Sequence, residues 1–580
     1  LRIDKDTVAL LARQVIGRDP GDETVADTVF RLESILDWAR GMDEGCLRPS
    51  APACSFDPAH PAWEAGRPCD PAWETVVPTG RGSGYGAPPG VSPESAPARG
   101  GAGFDDLPRR GVPLPGGLAG MTMAEVARLI RRREVSPVEV VKAALDRIAE
   151  LNGDLNAFIT VTGEAALEAA ARAERGLAAG AEPGPLYGIP VAVKDIIETA
   201  GVRTTCGSRI LRDHVPGRDA TVVRRLRDAG AIVVGKTNTH EFAFGPTTVN
   251  PHYGACRNPH NPACVSGGSS GGSAVAVATG MAAAALGTDT GGSIRIPAAC
   301  CGIVGIKPTY GLVSKAGIFP LSWSLDHPGP LARTAEDAAL ALEVLAGPDP
   351  LDQSTVTGRP PEKYAAAVRR AGEGLAGLAV GVPEGWLSYR VQPGVAAAVE
   401  QAIKLLEGLG AEVRAVEFPG ADPMLLANRL IILAEAAAYH LPALRQKPEE
   451  YGPDVRARLE LGQYLMAVDY IAGQRLRAEL CQTVAPVMRD VDLLVTPSLP
   501  VVAPYIGQDH AEWADGQETV PDALIRFPAP FNVTGQPAAS VPCGLSHGLP
   551  AGIQVIGRWF GEATVLRAAA ALMAAAGPQR

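Results

Sequence analysis

Seven short runs rich in β-branched and small apolar residues constrain this chain most: IPVAVKD, AIVVGKTN, IVGIKPT, LAVGVP, DLLVTP, AASVPCG and AGIQVIG. Each is too short for a helix and is bounded by glycine, proline or polar residues, which is how a strand buried on both faces reads. Alanine-rich helical segments, such as 333 to 346 and 395 to 409, alternate with them. That alternation predicts an α/β fold with a sheet enclosed by helices. The 580 residues are ample for a large core, and 46% hydrophobic with 20% charged residues is the balance of a globular protein.

The predicted globular unit opens at Thr122 with two amphipathic helices broken at Ser136-Pro137, where Ser caps and Pro takes the first helical position. An alanine-rich helix over about 163 to 180 follows. Upstream, the chain changes character twice. Residues 1–47 read as a small helical module: Val8, Leu11, Val15 and Ile16 share one face, then Val25, Val29, Leu32, Leu36 and Ala39 continue at helical spacing until Gly41. Residues 48–117 are rich in Pro, Gly, Ser and Ala and cannot form a core of their own. They read as a linker, either disordered or laid over another surface by Trp63 and Trp73, which sit in two similar PAWE sequences. Residues 118–580 are then the catalytic domain.

A formal net charge of −10 argues against a phosphate-backbone footprint, so nucleic acid is not an expected direct partner. The start, Leu1 to Asp6, has no basic-then-apolar signal pattern, and no run of about 18 uninterrupted apolar residues occurs; a cytoplasmic location and no membrane are the expectation. Ten cysteines, at 46, 54, 69, 206, 256, 264, 300, 301, 481 and 543, form no CxxC pair and read as reduced core residues. With no HExxH and no GxxxxGK[ST], neither a metal nor any other cofactor is expected.

The densest chemical signal runs from Ser266 to Pro308: SGGSSGGSAVAVATGMAAAALGTDTGGSIRIPAACCGIVGIKP. Two Gly-Gly-Ser elements, separated by what reads as an alanine-rich helix, place hydroxyls where the backbone can take unusual dihedrals. The second, Asp289 to Ser293, offers successive N–H groups beside a serine, the composition an oxyanion hole needs. A serine hydroxyl needs a base, and no histidine stands in this stretch. Upstream, Lys194 ends an apolar strand, and burial lowers a lysine pKa enough to supply a neutral amine. Taken singly, Gly-Ser elements are common turn formers and a strand-end lysine commonly snorkels to solvent.

Together these segments resemble the amidase signature family. IPVAVKD carries the family lysine, GGSSGGS the bridging serine that follows a cis peptide bond, and GTDTGGSIRIPAA the nucleophile. The resemblance extends over about residues 120 to 575, with further matches at DATVVRRLRDAGAIVVGKTNTHEFAFG, SLDHPGPLART and FNVTGQPAASVPCG. It implies a mixed β-sheet core enclosed by helices, Lys194 as base, Ser269 as relay and Ser293 as nucleophile. The N–H groups of Thr290, Gly291, Gly292 and Ser293 would form the oxyanion hole. The implied reaction cleaves the C–N bond of a small amide through a serine acyl-enzyme, with esters, carbamates and urea-type compounds also admitted, and a homodimer is an admitted assembly. Asp289 and Arg295 are expected to be paired scaffold charges. Two departures stand out: Cys300 where relatives often carry an aromatic residue, which would enlarge a wall near the acyl site, and Ser266 where they often carry proline.

Residues 1–47 and the linker are similar to the small C subunit of tRNA-dependent amidotransferases, and to the small subunit that accompanies carboxybiuret hydrolase. This brings in an alternative, an ammonia-producing glutaminase subunit working with a tRNA-binding partner. Against it, ALIRFPAPFNVTG places Arg526 where such subunits resemble YAND, so the acidic residue expected to hold the glutamine amino group is absent. Arg526 could fork onto a substrate carboxylate, or serve a structural ion pair. A second alternative, a non-catalytic scaffold, is opposed by the presence of all three triad positions. Phe319, Trp323, Asp326, Asn532 and Gln554 lie in segments that border the site in relatives, although such residues are more often ordinary core.

Overall fold

All seven apolar runs become strands of one mixed sheet in the computed structural model, which describes residues 111–112, 115–359 and 362–577. The expectations for residues 1–47 and for 48–110 lie outside the described residues. The sheet has eleven strands: β1 Phe158–Val161, β2 Pro190–Lys194, β3 Ile232–Thr237, β4 Ala284–Asp289, β5 Val304–Lys307, β6 His327–Ala332, β7 Ala379–Pro383, β8 Glu412–Val416, β9 Leu493–Pro497, β10 Ala538–Ser546 and β11 Leu549–Gly557. Their spatial order is β1-β3-β2-β4-β6-β5-β10-β11-β9-β7-β8. Strands β2, β3, β4, β5, β6, β9 and β11 are buried along their whole length, so helices cover both faces and alternation of polar and apolar residues is absent.

The helical readings hold locally for physical reasons that the sequence displays. Helix α1, Met123–Arg131, starts in a capping box between Thr122 and Glu125. Helix α2, Pro137–Leu155, starts in a second box between Ser136 and Glu139, with Pro137 at the first position. Helix α3 is Gly163–Ala178, α6 is Ala335–Leu345 and α7 is Pro393–Gly408, each close to its predicted span. The 26-residue α8, Ala421–Gln446, is apolar and long enough to cross a membrane by composition alone, yet 67% of its most apolar window is buried inside the protein. Helix α9 is Ala467–Asp490.

The alanine-rich stretch between the two Gly-Gly-Ser elements departs from its reading. Only Gly271–Ala278 is helical (α4); Gly280, at φ +75°, ends it, and Ala284–Asp289 is the central strand β4. Small side chains explain both halves, because they let α4 and the short α5, Arg295–Cys301, lie close against the sheet. Strand β6 was also illegible, since HPGPLA carries two prolines. Pro328 and Pro330 fall beyond the two positions, Leu331 and Ala332, at which β5 pairs with it.

Strand direction creates the working edge. β2 runs parallel to both β3 and β4, with Val193 opposite Leu286 and Lys194 opposite Thr237. The carboxyl ends of these three strands therefore bring Lys194, Thr237 and Thr288 to one edge, the side where open α/β sheets hold ligands.

Candidate active site

Lys194 is fully buried at that edge, and its partners are hydroxyls. Nζ lies 2.7 Å from Ser269 Oγ and 2.8 Å from Thr288 Oγ1. Burial pushes the amine down to about 7, against the opposing pull of the Asp326 and Asp289 carboxylates. Burial alone does not single it out. Lys236 and Lys307 are equally buried and also pushed down, but Lys236 Nζ donates to the Ile197 carbonyl and Thr204 Oγ1 at 2.6 Å each, with Asp195 Oδ1 at 3.7 Å. Lys307 Nζ donates to the carbonyls of Pro308 and Gln536. Lys307 meets only carbonyls, and the one hydroxyl beside Lys236, that of Thr204, donates to the Val202 carbonyl, so of the three only Lys194 contacts a serine hydroxyl.

Ser269 sits in the loop entering α4, and the Gly268–Ser269 peptide is cis. Its carbonyl accepts the His240 N–H and the Thr248 hydroxyl, both at 3.3 Å. Gly268 has no room for a side chain: a Cβ would stand 2.7 Å from the backbone nitrogens of Thr247 and Thr248. Ser270 bonds the backbone of Thr288 in both directions, its Oγ donating to the carbonyl at 3.2 Å and accepting the N–H at 3.3 Å. That staples the Ser269 loop to β4. Cys300 is buried against this loop, its sulfur 3.0 Å from where a Cβ on Gly267 would stand.

Ser293 lies in the turn between β4 and α5 and is 8% exposed. Its carbonyl accepts the Ser270 N–H at 3.2 Å, which draws the two serine loops together. Among the described residues, no hydrogen bond holds the Ser293 hydroxyl. Gly292, at φ +124°, makes the turn, and a Cβ there would meet Ile296 and Pro528 at 2.7 Å. The Gly292 N–H donates to Asp289 Oδ1 at 2.9 Å. This corrects the four-amide expectation, because an amide committed to a buried carboxylate is not free to meet an oxyanion. The N–H groups of Thr290, Gly291 and Ser293 have no acceptor among the described residues.

Asp289 and Arg295 form the expected buried pair, and it is saturated. Arg295 Nη2 lies 2.8 Å and Nε 3.0 Å from the two Asp289 oxygens. The remaining donors reach the Pro528 carbonyl at 2.7 Å, Gln554 Oε1 at 2.6 Å and Asn532 Oδ1 at 2.7 Å. Burial opposes ionisation of Asp289, but the Arg295 guanidinium outweighs it and holds the carboxyl below the usual carboxylate range. Asn532 and Gln554 thus serve Arg295 from buried positions. Trp323 is 46% exposed, and the Phe319 ring packs on Phe242 and Tyr439 at 5.1 and 4.8 Å.

Arg526 does not present a free fork. Its Nη atoms donate to the carbonyls of Tyr389 and Arg390 and to Glu518 Oε2 at 2.7 Å, and the residue is 3% exposed. The structural ion pair weighed against substrate recognition is the arrangement found. Sequence reasoning missed Thr288; the signal was its i, i+2 relation to Leu286 on a strand parallel to that of Lys194. The six cysteines 206, 256, 264, 300, 301 and 481 are free and buried, and Cys543 is free and half-buried. No group of His, Cys, Asp and Glu suited to a metal occurs among the described residues.

Comparison with known proteins adds an independent line. The amidase family matches residues 139–566. An amidase of Pseudomonas putida is 44% identical over 454 residues, spanning 78% of this chain and 95% of the relative. The A-type subunit of the glutamyl-tRNA(Gln) amidotransferase of Geobacter sp. (strain M21) is 40% identical over 474 residues, spanning 77% of this chain and 96% of its own length. Among solved structures, an inhibitor-bound vestigial complex, described as revealing the evolutionary origins of an s-triazine catabolic enzyme, gives a TM-score of 0.74 at 36% identity. That match covers 78% of this chain and 98% of the other.

Proposed function

This chain belongs to the amidase signature family, hydrolases of carbon–nitrogen bonds, and from that premise we propose that it cleaves small amides through a Ser293 acyl-enzyme with Ser269 as relay and Lys194 as base. The observation that carries the reading is the 2.7 Å contact between a fully buried Lys194 and Ser269 Oγ. Neutral Lys194 accepts the Ser269 proton while Ser269 accepts that of Ser293, whose oxygen attacks the amide carbon. Thr288 receives an N–H of the amine and so aims its lone pair at Ser269. The oxyanion is met by the N–H groups of Thr290, Gly291 and Ser293. Collapse breaks the C–N bond as the relay returns a proton to the departing amine, and water then repeats the path to free the acid. The reading sets the enzyme in the cytoplasm, where buried free cysteines stay reduced.

Labelling by a serine-directed fluorophosphonate, abolished in Ser293→Ala, tests the assignment. The same variant loses on the order of 10³-fold or more in kcat. Retention of full activity overturns the reading.

A second reading, a glutaminase component of a tRNA-dependent amidotransferase, is supported by the 40% identity to such a component over nearly its whole length. Glutamine-dependent ammonia release, together with co-purification of a tRNA-binding partner, favours it. Hydrolysis of simple amides by the isolated chain, without glutamine turnover, favours the first.

A further inference from the structure

The Thr290–Ser293 segment, whose amides the proposed reaction uses, is gripped by side chains outside the proton path. The Thr290 hydroxyl donates to Asp326 Oδ1 at 2.6 Å, and the Thr290 carbonyl accepts from Asn428 Nδ2 at 3.1 Å. Asp326 is 7% exposed and also accepts the backbone N–H groups of Leu321 at 3.0 Å and Ser322 at 3.1 Å. Ser322 continues the chain, donating its hydroxyl to Glu435 Oε2 on α8 at 2.5 Å. Glu435 in turn gathers the Ser324 N–H and hydroxyl and the Tyr470 hydroxyl of α9, at 3.2, 2.6 and 2.9 Å. His327, next to Asp326 in the chain, holds Nδ1 2.6 Å from the Leu325 carbonyl and 3.2 Å from that of Asp289. The segment is therefore tied to α8 directly through Asn428 and, through the Asp326–Ser322–Glu435 chain, to both α8 and α9.

We propose that Asp326 is a positioning residue of the hydrolytic reaction: through the Thr290 hydroxyl it fixes the direction of the 290–293 amides, and Ser322 and Glu435 anchor it to α8 and α9. An oxyanion hole depends on donors held in place before charge develops, and displacement of a fraction of an ångström costs rate rather than binding. Thr290 is the contact where such control enters. Asp326 keeps two backbone donors of its own without Thr290, so its loop does not need the Thr290 hydroxyl in order to fold.

This inference rests on the serine reading, and the test separates the two. The probes are the second-order rate of fluorophosphonate labelling and the hydrolysis of p-nitrophenyl acetate. Thr290→Val, which removes only the hydroxyl, lowers the labelling rate and kcat about tenfold with KM within about twofold. Thr290→Ser restores both. Asp326→Asn lowers them at least as far, and adding Thr290→Val to it costs less than about a further twofold, because both remove one link. Wild-type labelling by Thr290→Val, or effects that multiply in the double variant, overturns the proposal whatever the folding of Asp326→Asn. Labelling that persists in Ser293→Ala overturns the serine reading instead.

Discussion

Lys194 and Arg295 are both fully buried basic side chains near the carboxyl ends of β2 and β4, yet their surroundings are opposite. Arg295 meets a carboxylate and three further oxygens, so its charge is compensated. Lys194 meets two hydroxyls, with no carboxylate in hydrogen-bond range among the described residues, and burial drives it toward the neutral amine. The contrast separates architecture from chemistry. A saturated pair fixes a loop, here the Asp289–Arg295 turn that holds Ser293. An unsaturated amine keeps a lone pair available, which is what a base requires.

Exchange of each cation for methionine breaks the comparison if it is wrong. Lys194→Met is expected to lower amide hydrolysis on the order of 10³-fold or more. Its thermal midpoint should not fall, because a group driven neutral by burial gives the folded state little to lose. A loss of stability matching that of Arg295→Met would make Lys194 another scaffold cation. Arg295→Met leaves Asp289 buried and unpaired, and should cost about 3–5 kcal/mol in denaturant unfolding. An Arg295→Met protein of wild-type stability would show the pair to be dispensable.

The pH dependence sharpens the same contrast. On the proposed reading the base is active when neutral, so kcat/KM should climb with pH and level off above about 7, the value to which Lys194 is pushed down. For stability, the unfolded lysine holds its proton to a higher pH than the native one. Unfolding free energy should therefore rise with pH between about 7 and the ordinary lysine range, a slope that Lys194→Met removes. A flat kcat/KM from pH 5 to 9 is the result that conflicts.

Two smaller effects complete the series. Thr288→Val, which leaves Lys194 with the Ser269 partner alone, should reduce kcat about tenfold with KM nearly constant, as expected when a base loses orientation. Glu518→Gln tests the Arg526 assignment. It should destabilise by about 1–3 kcal/mol and leave KM for neutral and carboxylate-bearing amides in the same ratio, whereas a changed ratio would return Arg526 to substrate recognition.

Much of the site was legible before folding. Lys194 stood at the end of an apolar run, and both serines stood in glycine contexts that sterics explain at Gly268 and Gly292. The strands with β-branched residues were legible for the same local reason. What escaped was decided by partners distant in the chain. β4 carries alanines that suit either a helix or a crowded central strand, and β6 carries prolines that are nevertheless held opposite Leu286 and Thr288 of β4. Arg526 offered a fork whose occupants include the Tyr389 and Arg390 carbonyls, more than a hundred residues earlier, as well as Glu518 of the His510–Trp513 and Gly516–Thr519 hairpin. Asp326 gave no local sign that it holds Thr290, 36 residues earlier.

The sequence by itself determined the capped helices, the β-branched strands, the two serine loops and the place of the lysine, because hydrophobic period, glycine and caps act within a few residues. Tertiary structure alone decided which buried charge is compensated and which is not. It set Thr288 beside Lys194 and filled the Arg526 fork. The physical reason is that burial and hydrogen-bond partnership depend on what strand order brings across the sheet, and those two quantities decide whether a charged side chain supports the fold or carries a proton.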